Sequence, residues 1–117
     1  MELKPMINYD GKSFRSSAAE TSRGRTVPVG HYHQDGDLVW AEFAGGAVRN
    51  GFLVGTADAD GIITLSYSQV LDTGEVISGR CTTTPTLLED GRLRLREEWH
   101  RFGSEASGVS YIDEVRV

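Results

Sequence analysis

A chain of 117 residues, 38% hydrophobic and 25% charged, has the composition of one ordinary globular domain and enough length to bury a core. Its 17 acids against 12 bases give a formal charge of −5, which excludes the basic footprint that nucleic-acid binding requires. A single cysteine excludes an internal disulfide, and no apolar run reaches the length of a membrane helix. Met1-Glu2-Leu3-Lys4-Pro5 carries an early acid and no apolar stretch, so no secretory leader is read there and a cytoplasmic location is expected.

Turn signals divide the chain: Gln34-Asp35-Gly36, Gly45-Gly46, Asp58-Ala59-Asp60-Gly61, Asp72-Thr73-Gly74, Asp90-Gly91 and Gly103-Ser104-Glu105. Asp-Gly and Gly-Gly between half-apolar, β-branched runs mark hairpins, because these residues accept the positive φ that a tight turn needs. The first strand is predicted over 6–15, bent at Asp10-Gly11. The small, polar segment 16–25 follows, where Ser17-Ala18-Ala19-Glu20 fits a capping box for one short helical turn and a loop fits equally well. Further strands are predicted over 26–33, 38–44, 47–57, 62–69, 75–84, 92–101 and 108–117. Thr84-Pro85 is expected to end pairing, with a wide loop or a helical turn through Asp90.

Gly51, Gly55, Gly79 and Gly108 fall inside these strands, where glycine marks a bulge, a bend or a close backbone approach. Long strands with repeated bends suit a sheet that curls and closes. The expected fold is therefore all-β: one domain over 1–117, an antiparallel up-and-down meander of about eight strands closing into a barrel. A β-sandwich is the alternative.

Strand alternation assigns the faces. Leu93, Leu95, Glu97 and Trp99 share the core face of their strand, leaving Arg92, Arg94 and Arg96 toward solvent. The corresponding inward sets are Ile63, Leu65, Tyr67 and Gln69; Val27, Val29, His31 and His33; and Val109, Tyr111, Asp113, Val115 and Val117. Each list starts apolar and acquires polar members, which is the make-up of a small-ligand pocket. The expected ligand-binding residues are His31, His33, Tyr67, Glu97 and Tyr111, with segment 16–25 as a flap at the mouth. His31-Tyr32-His33 has a spacing that could chelate a metal with Glu97 as third ligand, but H-x-H is unspecific, and no metal or cofactor is expected. Glu97 and Glu98 point to opposite faces and cannot act together on one bond. Cys81, alternating with Ile77 and Gly79, reads as a buried, inert thiol.

Four stretches carry a resemblance: Ile7-Asn8-Tyr9-Asp10-Gly11-Lys12-x-Phe14; Gly45-Gly46 with Gly51 and Gly55; Gly74 through Gly79-x-Cys81 to Thr84-Pro85; and Gly91-Arg92-x-Arg94-Leu95-x-Glu97-Glu98-Trp99. Over nearly its whole length the chain resembles a family of small bacterial proteins often labelled N-acetylglutamate synthase. It departs from that pattern at Arg101, where a second aromatic is common, and at Thr86, where an acid often follows the proline. The resemblance implies a calycin-like barrel similar to the lipocalin and avidin group, and its label implies an acyltransferase. The glycines after Gly45 lead into no helix that could cradle a pyrophosphate. Three functions are open: a barrel binding a small, partly apolar molecule, an enzyme using Glu97 with His31 or His33, and a filled barrel acting as an interaction module. The first is favoured, with a small molecule as partner and the oligomeric state open.

Overall fold

The computed structural model describes residues 7–16 and 27–116. The capping box at 17–20, nearly all of segment 16–25, and the strand-end positions Met6, Thr26 and Val117 lie outside the described residues. The eight strands are β1 (Ser13–Ser16), β2 (Val29–Asp35), β3 (Leu38–Gly45), β4 (Val48–Ala57), β5 (Ile63–Leu71), β6 (Val76–Leu87), β7 (Leu93–Arg101) and β8 (Ser107–Val115). Each pairs antiparallel with the next, and β8 returns to β1, so the sheet closes into a barrel. Closure gives every strand a neighbour on both sides over at least part of its length, which an open sandwich would not. β1 is the shortest, at four residues, against 12 in β6.

β6 runs through Thr84-Pro85 instead of ending there, with Pro85 opposite Leu95. The pairing of β6 with β5 stops at Ile63↔Thr83. Beyond it β6 has a strand on one side only, which is where a residue lacking an N–H is tolerated. Leu88 to Arg92 is then a tight turn, closed by Gly91 N–H to the Leu88 carbonyl at 3.0 Å.

One end of the barrel is packed shut. Tyr9 lies there with no exposed surface, donating its hydroxyl to the Gly61 carbonyl and its backbone N–H to Gln34 Oε1 at 2.9 Å. Its ring meets Phe14 and Tyr32 at centroid distances of 6.4 and 6.1 Å, above a layer of Val39, Ile63 and Leu95, each fully buried. Gly61 has to be glycine twice over: its φ is +79°, and a Cβ would press on Ile7.

Toward the other end, inward aromatics stand directly across from inward glycines on a neighbouring strand. Phe14 faces Gly30, Phe43 faces Gly51, Tyr67 faces Gly79 and Trp99 faces Gly108. At Gly51, Gly79 and Gly108 a Cβ would collide with the facing ring. Phe43, Tyr67 and Trp99 therefore each lie over a bare stretch of wall, which keeps the middle of the barrel open.

This pairing corrects two of the predicted faces. In β2 the inward residues are Gly30 and Tyr32, while His31 is exposed and His33 faces outward. The apolar parity of Val27 and Val29 pointed the other way, but Gly30 stands opposite Phe14 and Phe43 in register, and a Cβ there would crowd the Tyr32 ring at 3.2 Å. In β8 the inward residues are Gly108, Ser110, Ile112 and Glu114, set by the register Trp99↔Gly108, Glu97↔Ser110 and Leu95↔Ile112. Val109 and Tyr111 are exposed, and Asp113 turns outward to take both arms of Arg94 at 2.7 and 3.0 Å. The inward sets of β5 and β7 are as alternation assigns them.

Candidate functional site

The unsealed end, which carries the β3–β4, β5–β6 and β7–β8 turns, opens into a cavity of about 400 Å³. That lies within the range typical of small-molecule sites. Its wall is mainly apolar, from Phe14, Phe43, Leu53, Leu65, Trp99 and Ile112. Register shifts in β3 near Gly45 and in β4 near Asn50 fall at this mouth, where extra residues bend the strands.

Glu97 is the one acidic residue among the described lining residues, and Arg101 the one basic residue. Both are on β7 at the same parity, Arg101 toward the mouth and exposed, Glu97 four strand residues deeper in the wall. Protein surrounds Glu97 while part of its surface faces the cavity. Ser110 Oγ, directly across on β8, donates to Glu97 Oε1 at 3.1 Å. Burial pushes the Glu97 carboxyl up to about 7, and the Ser110 hydrogen bond offsets only part of that shift.

Two tyrosines and the cysteine complete the polar wall. Tyr32 is 2% exposed, and burial first, then the nearby Glu97 charge, holds its hydroxyl in the neutral form. Burial also raises Tyr67, against the opposing pull of Arg101. The Tyr32 and Tyr67 hydroxyls make no hydrogen bond among the described residues, yet neither is sealed off inside the protein. They therefore reach the cavity surface. The Cys81 thiol is pushed up to about 11 by burial, with a 3.6 Å contact to Thr83 Oγ1 working the other way. It is inert as a nucleophile at neutral pH.

Of the five residues expected to bind a ligand, Tyr67 and Glu97 line the cavity together. Tyr111 borders it at the rim, although 43% of its surface is exposed. His31 and His33 are on the outside of the wall. His31 Nδ1 is 2.8 Å from Ser13 Oγ, and His33 stacks on Trp40 at 5.3 Å with Nε2 2.7 Å from Glu42 Oε1. The strand wall thus separates both imidazoles from Glu97, which removes the three-residue metal reading and the pairing of Glu97 with either histidine. Asp113, expected inward, is outside as well. Sequence alternation missed Tyr32 and Ser110. The signal that finds them is the opposition of glycines to aromatics, which fixes the parity of β2 and β8.

Residues 7–115 match the family model described as an avidin-like protein. No curated protein and no solved structure matches the chain. The match spans all eight strands and the cavity they enclose, and on that basis the chain belongs to the avidin-like family.

Proposed function

We propose that this protein binds a compact, largely apolar small molecule inside the barrel. The ligand's polar end sits among Glu97, Ser110, Tyr32 and Tyr67, and its body lies against Trp99 and Phe43. The observation that carries this reading is the convergence, on an otherwise apolar cavity, of a carboxyl held by one Ser110 hydrogen bond and two tyrosine hydroxyls that make none among the described residues. A filled barrel would spend those groups on one another, as buried polar groups are normally paired. Membership of the avidin-like family supports it, since eight-stranded barrels of this kind are just wide enough to hold one small ligand.

The test is an NMR screen of small aromatic and heteroaromatic compounds against the full chain. Ligands should shift the amides of Tyr67, Glu97 and Ser110 and the Trp99 indole, and the shifts should vanish in Leu65→Trp, which fills the cavity. Shifts confined to the outer face, or unchanged in Leu65→Trp, would remove the proposal.

A further inference from the structure

We propose that the group the ligand brings to Glu97 is a cation, an organic ammonium enclosed by the aromatic side chains of Tyr32, Tyr67 and Trp99. This rests on the binding function proposed above and specifies its substrate class.

Among the described residues, Glu97 has hydrogen-bonding capacity left over. An ionised carboxylate accepts at about four lone-pair positions, and among the described residues only the Ser110 hydroxyl donates to it. A carboxylate in an apolar wall with one neutral donor is poorly compensated. Among the described residues, no basic side chain meets it from across the barrel. β1 presents Phe14 and Ser16, β3 Val39, Ala41 and Phe43, and β4 Gly51 and Leu53, none of them titratable. β2, β5 and β6 present Tyr32, Tyr67 and Cys81, all kept neutral by burial. β8 presents Ser110, and on β7 itself Arg101 lies out at the mouth while Glu98 is on the exposed outer face.

A carboxylate set among aromatic rings is the environment that selects ammonium groups, because the rings attract a cation that has lost its water and the acid neutralises it. A neutral ligand would leave the negative charge uncompensated, and an anionic head would be repelled. The affinity should also follow the protonation of Glu97, since the ammonium needs the ionised form. Below pH 7 a proton on Glu97 must be displaced first, so binding weakens as the solution is acidified.

Isothermal titration of the full chain with phenethylamine, 2-phenylethanol and phenylacetamide separates charge from shape and from neutral N–H donation. At pH 8 the amine should bind at least about tenfold tighter than either neutral probe, as charged hydrogen bonds exceed neutral ones by that order. Its affinity should fall roughly tenfold per unit below pH 7, with the neutral probes unchanged. In Glu97→Gln the preference for the amine should disappear while phenylacetamide still binds. If Glu97→Gln does not fold, the pH profile of the wild-type chain decides alone. Equal binding of the amine and a neutral probe, a flat pH profile, or a preference retained in Glu97→Gln would overturn the cation assignment and leave the binding function standing. Failure of all three probes to bind would overturn both.

Discussion

The Trp99 indole occupies the place where a side chain on Gly108 would stand: an ideal Cβ there would lie 2.7 Å from Trp99 Cζ2 and 3.0 Å from Cε2. The two residues face each other across β7 and β8. Gly→Ala in a compatible extended backbone normally stabilises by about 0.4–1 kcal/mol. At Gly108 overpacking outweighs that gain, and Gly108→Ala should lose about 1–3 kcal/mol in chemical denaturation. Trp99 emission should shift as the ring is driven toward the cavity. A neutral or stabilising outcome would show that the ring does not depend on the bare wall.

Glu97 makes stability depend on pH in an unusual direction for a carboxylate. Its folded value, about 7, lies above the ordinary 4.5, so between those values the folded chain holds a proton that the unfolded chain has released. The contribution is intact below about pH 4.5 and is lost as pH rises through 7, to a limit of roughly 3 kcal/mol. Asp90 and Asp113, lowered by their arginine partners, act in the opposite sense on acidification. Urea midpoints at pH 5 and pH 8 should therefore be compared between the wild-type chain and Glu97→Gln. The variant should gain on the wild type at pH 8 relative to pH 5; parallel behaviour would mean that Glu97 titrates as an ordinary surface acid.

Probe binding should ignore the outer histidines. His31→Ala and His33→Ala should change the affinity of any cavity ligand by no more than about twofold, the usual reach of a surface substitution. Tyr32→Phe removes one hydroxyl from the cavity wall and should weaken a polar-headed ligand about three- to tenfold. Titration calorimetry on the three variants checks both. A large loss in either histidine variant would mean that the ligand engages the outer wall.

Cys81 reports on cavity occupancy. With its thiol pushed up to about 11, the thiolate fraction at pH 8 is about a hundredfold below that of an ordinary thiol of 9. Alkylation by iodoacetamide, followed by mass spectrometry, should be slower by at least that factor than in urea. A bound ligand should slow it further, because Cys81 lines the cavity. Labelling of the native chain at the unfolded rate would contradict this placement.

The hairpin turns, the strand count and the faces of β5 and β7 were legible because Asp-Gly and Gly-Gly pairs and strict apolar alternation each have one structural solution. The faces of β2 and β8 were not. Alternation counts apolar side chains, and in these strands the inner wall is made by Gly30, Gly108 and Ser110, while Val109 and Tyr111 lie outside. A parity error in a strand moves every residue at once, so His31, His33 and Asp113 left the expected interior together and Tyr32 and Ser110 entered it. Pro85 misled for a different reason: its tolerance depends on where the neighbouring β5 stops, which is a property of register and not of the local sequence.

The shortness of β1 gives the barrel a kinetic weak point. Seven of the eight strand contacts join chain neighbours, and the ring is completed only by four residue pairs between Ser13–Ser16 and Ile112–Val115, close to the two ends of the chain. The pairings between chain neighbours can form more locally, but this one must bring together residues about a hundred positions apart and is rewarded with the fewest pairs after β1–β2. It is the step that folding completes last and that thermal fluctuation undoes first. Amide exchange should accordingly be fastest along β1 and the facing edge of β8, giving the cavity a side door that opens without unfolding the remaining wall.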